Sequence, residues 1–215
     1  MNQGLSYLPF HAERAQVETD PDRHAANYAL VAPLLDFVAR SGTPYRAEWV
    51  AARSGAVTLL AGTTTALLSE MSGSHPTATL HIPFAGEAVF KAERRQLIGA
   101  PGATAVYLPG MPRRTETPFW AGLSLGLDPH RLAACAAAMA GQPDSPEWFL
   151  PRFMEPLQLD QSDRVVAFLV GHLGRIVDLI DLEPSRSFEL AASLPLGPMI
   201  EQAVAALVIP SLVGG

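Results

Sequence analysis

The chain has 215 residues, 48% apolar and 17% charged, so it can build a real core and is not a disordered chain. Its formal charge is −6, Lys91 is its only lysine and the arginines are scattered, which makes it a poor nucleic-acid binder by itself. Cys135 is the single cysteine, so an internal disulfide is excluded and a reducing, cytoplasmic compartment fits. The N-terminus lacks the basic segment and apolar core of a signal peptide, and no apolar run is long and charge-free enough to span a bilayer.

Residues 1–24 are polar and without a clean period, and read as an N-terminal arm or short edge strand. Tyr28 to Arg40 spaces Leu30, Val31, Leu34, Leu35 and Val38 as a helix does, with Ser41-Gly42 as its stop. Strands follow. Tyr45–Arg53 alternates, Val57–Leu60 is apolar on both faces before a turn at Ala61-Gly62, and Thr64–Met71 is rich in strand formers. Thr77–Phe84 alternates most clearly: Ala78, Leu80, Ile82 and Phe84 share one face, Thr77, Thr79 and His81 the other. Ala88-Val89-Phe90 starts a return strand, and the charged run from Lys91 to Arg95 reads as a turn. Pro101-Gly102 and Pro109-Gly110 bracket Ala103–Leu108, each pair joining a preset φ to a residue free to take a positive one. Arg113, Arg114 and Glu116 read as exposed turn residues, and Phe119–Leu127 as the last strand. So many short strands argue for an antiparallel barrel or sandwich.

After residue 127 the pattern becomes helical. Asp128-Pro129 opens an alanine-rich helix that Gly141 ends, and a proline-rich loop leads on to Pro156. Ser162–Leu182 is the longest helical pattern, with a heptad-like seam of Val166, Leu169, Leu173, Ile176 and Ile180. A last helix covers Met199–Ile209.

The chemistry-bearing residues form no motif. The six histidines lack the His-x-His-plus-Glu spacing of a metal-binding cupin barrel, so no metal site is assigned. Cys135 sits in an alanine helix as a small buried thiol. No phosphate-cradling glycine loop precedes a helix and no carboxylate pair is evident, so no catalytic residue and no cofactor is expected. The positive signal is a barrel with aromatics on its strands, among them Trp49 and Trp120, and with His81. A small barrel of this kind is either packed solid or holds a ligand against aromatic walls and a few polar groups.

In order, these pieces resemble the N-terminal effector-binding and dimerisation domain of AraC/XylS-type bacterial transcriptional regulators. The resemblance rests on the helix before YRAEWVAARSGAVTLLAG, the barrel-like LHIPFAGEAVFKAERRQLIGAPGATAVYLPG, the strand and helix in GLSLGLDPHRLAACAAAMAG, and the closing MIEQAVAALVIPSLVGG, and it runs from about Ala25 to Val213. Pro101-Gly102-Ala103 departs from the family's Pro-Gly-Asp turn. The resemblance implies an α+β fold: a helix plus cupin-like antiparallel β-barrel over residues 25–127, then a C-terminal bundle of α-helices over 128–215 that serves dimerisation and linking. It implies an unknown small-molecule effector among Trp49, His81 and Trp120, and a homodimer through the seam from Val166 to Ile180. It also implies that DNA is read by a two-unit helix-turn-helix domain which would follow the last helix and is absent from this chain. The alternatives are a cupin-fold metal-dependent enzyme and a dimerisation module with a filled barrel.

Overall fold

The computed structural model describes residues 14–29, 35–39, 44–181 and 195–212. Its spine is a pair of 15-residue strands, β4 (Val57–Met71) and β9 (Arg113–Leu127), antiparallel along their whole length. At one end β3 (Ala47–Ser54) pairs with β4, while β5 (Ala78–Ala85) pairs with β9 and passes the sheet on to β8 (Thr104–Leu108) and β10 (Leu157–Asp160). At the other end β2 (Leu35–Ala39) pairs with β4, and β6 (Ala88–Ala92) pairs with β9 and with β7 (Arg95–Gly99). A short β1 (Gln16–Glu18) edges β3. The result is a ten-stranded antiparallel sheet that wraps into a cupin-like barrel.

Around the barrel lie five α-helices among the described residues. Helix α1 (Pro21–Tyr28) starts at the Asp20 cap, with proline in its first turn. Helix α2 (Pro129–Met139) starts the same way, with Asp128 Oδ1 accepting from His130 N at 2.8 Å. A short α3 (Leu150–Phe153) interrupts the loop expected there. Helix α4 (Arg164–Asp181) is capped by Asp163, whose Oδ1 accepts from Val165 N at 2.7 Å. Helix α5 (Leu196–Val208) is buried on most of its surface. Arg131 on α2 grips buried Glu201 on α5 with both fork nitrogens, at 2.6 and 2.9 Å.

Half of the spine is buried on both faces, and this sets the architecture. Val57, Leu59 and Ala61 of β4 join Ala78, Leu80 and Ile82 of β5, Leu123 and Leu125 of β9 and the inner faces of α2, α4 and α5 in one apolar core. The alternate residues, such as Leu60 and His81, face the barrel interior instead. Docking of the helical layer depends on Gly197: a Cβ there would lie 2.4 Å from the Ser54 carbonyl oxygen, and the Gly197 N–H donates to Ser54 Oγ at 2.9 Å.

Several expectations are overturned. Within the span expected to be helical, Tyr28–Arg40, α1 ends at Tyr28 and Leu35–Ala39 is a strand in register with Leu67–Met71, while Leu30, Val31 and Leu34 lie outside the described residues. Phe37 is buried and Val38 exposed, the two-residue alternation of a strand that packs one face. The turn expected at Ala61-Gly62 is absent because Gly62 lies within β4, directly opposite both Trp49 and Gly122. Arg113, Arg114 and Glu116 are not turn residues but the first turn-free stretch of β9, and Arg113 is buried. The run from Lys91 to Arg95 is mostly strand, with the turn confined to Glu93-Arg94. The expected arm contributes β1 and the start of α1, and residues before 14 lie outside the described ones.

The seam of α4 is the largest change of role. Val166, Leu169, Leu173 and Ile176 are buried against this chain's own sheet and α5, so they cannot present a dimer surface without opening the core. The side chain of Ile180 lies outside the described residues. What α4 leaves exposed is a neighbouring strip: Val165 and Phe168, which is 64% exposed, with the half-buried His172 ring stacked on Phe168 at 6.2 Å between centroids. Three-and-four spacing marks an apolar stripe; it does not say whether the stripe meets its own sheet or another chain.

Candidate functional site

The barrel interior holds a cavity of ≈ 60 Å³. Side chains alternate along a strand, so β4 sends Leu60, Gly62 and Thr64 to it, with Thr63 also at its edge, but further on Leu67 and Ser69. β9 mirrors this with Trp120, then Thr117, Thr115 and Arg113. The facing parity changes midway on both strands at the same level, and thus the spine presents one continuous inner wall. Gly62 and Gly122 are cross-strand partners in that wall. A Cβ at Gly122 would lie 2.6 Å from the Trp120 ring and 2.6 Å from the Ile82 carbonyl oxygen, so glycine is what lets the indole lie across the strand.

Three hydrogen-bonding groups meet at the back of the cavity. Ser124 Oγ is 2.7 Å from Tyr28 Oη and 3.0 Å from His81 Nδ1. The His81 ring stacks on Phe90 at 4.9 Å and meets Trp120 edge-on at 6.2 Å. Its Nε2 is buried without a partner. Burial, and secondarily the nearby Arg113 charge, lower the His81 pKa to about 3, so the imidazole is neutral at neutral pH. His24 on α1 also borders the cavity; it is hydrogen-bonded to Tyr45 Oη, and burial lowers its pKa to about 4. Burial raises the Tyr28 pKa, against the lowering effects of Ser124 and Arg113. Arg113 itself is lowered to about 10 by burial, so it remains a cation.

Two of the three expected barrel residues, His81 and Trp120, line this cavity. Trp49 does not. It is buried one layer away against Leu60, with Nε1 unpartnered. Sequence reasoning missed Arg113, Tyr28 and Ser124. Ser124 had a signal, being the only side chain with a hydrogen-bonding group in the run from Ala121 to Leu127. Arg113 had none, because beside Pro112 it looks like any loop arginine.

The donor set offers little to a metal. Among the described residues no three His, Cys, Asp or Glu side chains converge, and His81 is joined in the cavity only by His24, which already bonds Tyr45. Burial and Glu201 raise the Cys135 pKa, which leaves the thiol protonated and unreactive. A second, open groove of ≈ 620 Å³ runs between β5 and α4 beside the Pro101-Gly102 turn. None of the buried unpartnered polar atoms lies among its lining residues. Among the described residues no helix is long and apolar enough to cross a membrane.

No family model and no curated protein matches the chain. Among solved structures it is similar to the AraC-like transcriptional activator CuxR, at 18% identity and a TM-score of 0.64, over 90% of this chain and 69% of that one. It also overlaps a cupin superfamily protein from Desulfitobacterium hafniense, at 16% identity and a TM-score of 0.33 over 42% of this chain and 83% of that one. A cupin-2 domain from Rhodospirillum rubrum overlaps it at 17% identity and a TM-score of 0.32, over 44% of this chain and 70% of that one. The likeness to CuxR extends through barrel and helices together, and the chain therefore has the fold of that activator: an α+β, cupin-like antiparallel barrel followed by C-terminal helices.

Proposed function

We propose that the chain is the regulatory domain of an AraC-type transcriptional regulator: a non-catalytic, cytoplasmic, ligand-sensing and dimerising unit, with DNA read by a separate domain. The observation that carries the reading is the cavity between β4, β9 and α1, where the Tyr28–Ser124–His81 chain and a buried arginine meet in an aromatic wall. One sheet separates this cavity from the helical layer. A ligand that alters the sheet's curvature therefore acts on α4 and α5, provided it binds one arrangement more tightly than the other. At ≈ 60 Å³ the cavity is well below the roughly 300 Å³ of a drug-sized pocket, so the ligand is small. A barrel that serves only to dimerise has no use for unpartnered polar groups in its interior.

The test is a thermal-shift screen of small metabolites on the wild type and on Ser69→Leu, which fills the cavity. A ligand at 100-fold its Kd stabilises by about 2.7 kcal/mol, which is roughly 5–10 °C for a domain of this size. Hits confined to the wild type support sensing; no hits, or hits equal on both proteins, refute it. Dimerisation is assigned to the exposed Val165 and Phe168 on α4, with the half-buried His172 beside them. Light scattering is expected to show a dimer that Phe168→Asp dissociates. A monomeric wild type ends that part of the reading.

A further inference from the structure

We propose that the cavity takes a small monocarboxylate, held through its carboxylate by Arg113. This rests on the sensing reading and specifies the ligand's chemistry. Arg113 is 5% exposed and lines the cavity. Its Nη1 contacts the thioether of Met71 at 3.6 Å, a weak acceptor. No carboxylate among the described residues pairs with it, and none lines the cavity. A guanidinium out of water ordinarily sits with an anion, because its desolvation is otherwise uncompensated. The described residues supply no anion for it, and that place falls to the ligand.

The surroundings define that partner. Arg113 is opposite Met71, and the next inward-facing pair along the spine is Ser69 with Thr115. Neither hydroxyl of that pair has a partner among the described residues, so both can donate to an oxygen seated at Arg113. In the tautomer in which Ser124 donates to His81 Nδ1, the imidazole proton resides on Nε2, the atom left without a partner, and that tautomer adds a donor on the cavity wall. The guanidinium fork matches a planar carboxylate with two parallel bonds.

Charge decides between anions. His24 and His81 line the cavity as neutral rings, so among the described residues Arg113 is its single cation. One buried positive charge balances a monoanion; a phosphate dianion would leave a net negative charge in the barrel. Phe90, Trp120 and Leu60 provide an apolar wall, and the small volume limits the ligand to a short body.

The experiment is titration of the whole chain with butyrate, butyramide and inorganic phosphate, read by calorimetry and by indole fluorescence. Butyrate is expected to bind at least about tenfold more tightly than its neutral isostere butyramide. Arg113→Met is expected to lose at least about tenfold in butyrate affinity while keeping butyramide affinity. Butyramide binding as tightly as butyrate, or full butyrate affinity in Arg113→Met, overturns the carboxylate assignment and leaves ligand sensing standing. Phosphate binding more tightly than butyrate overturns the monoanion argument, and absence of butyrate binding overturns the proposal outright. The butyrate–butyramide comparison uses wild-type protein and decides the matter even where Arg113→Met does not fold. Ligand sensing itself fails separately, through the Ser69→Leu screen.

Discussion

Leu173→Ala separates a core helix from a dimer helix. Leu173 is 0% exposed in the single chain and packs in the core formed by the sheet, α2 and α5. Truncation removes the transfer free energy of the lost carbons and leaves a cavity that neighbouring strands cannot easily fill. For a leucine so placed the two effects together cost about 3–5 kcal/mol. In a chain of this size that lowers Tm by roughly 6–15 °C. The assay is urea unfolding followed by fluorescence over a wide range of protein concentration. If the seam is core, the loss is independent of concentration and the association state is unchanged. Phe168→Ala, on the exposed strip, is expected to shift monomer stability by less than about 0.5 kcal/mol. A Leu173→Ala protein that unfolds like the wild type but no longer self-associates would refute the reasoning.

The buried histidines give the protein an acid limit. Both folded-state pKa values lie below the unfolded value of 6.5, at about 4 for His24 and about 3 for His81. The unfolded chain therefore binds more protons as pH falls below 6.5, and stability is lost progressively towards pH 4. At about pH 5 each ring costs roughly 2 kcal/mol, and His81→Gln is expected to flatten the slope of Tm against pH between about 6.5 and 5; an unchanged slope would show that His81 is not held neutral. Two glycine substitutions should act in opposite directions in thermal melts. Gly174→Ala in α4 meets nothing within 4 Å and should gain about 0.5–1 kcal/mol from helix propensity. Gly197→Ala drives a Cβ into the Ser54 carbonyl and should cost about 1–3 kcal/mol, and a stabilised variant would contradict the close docking of α5.

The local grammar of the chain was legible where one short rule governs. Asp128-Pro129 announces α2 because capping involves only adjacent residues, and the alternation of Thr77–Phe84 set Ala78, Leu80 and Ile82 apart from His81, but failed at Phe84, which is exposed at the register shift between Pro83 and Ala85. Legibility failed where the partner decides. Leu35–Ala39 is a strand because Leu67–Met71 lies beside it, and Leu157–Asp160 is a strand because Thr104–Tyr107 does. The site suffered most, since inwardness depends on register. Trp49 and Trp120 look alike in the sequence, but only Trp120 reaches the cavity. Arg113 was invisible for the same reason, because reading β9 as starting at Phe119 leaves it outside the barrel altogether.

The shared spine also governs how the molecule is assembled. β4 and β9 are partners along their full length, but β5 to β8 are made between them, and β9 must enter between β4 and β5. The sheet cannot close until the ribosome has delivered the last of these strands, and β10 must then cover the β8 edge. Pairings this distant in sequence place refolding in the millisecond-to-second range, slower than a helical protein of equal length. Neither end of the barrel owns a complete pair of central strands, so the domain cannot be divided into halves that fold alone. A protease nick or an insertion in the turn at Glu93-Arg94, which serves only the β6–β7 hairpin, should be borne far better than one that separates β4 from β9.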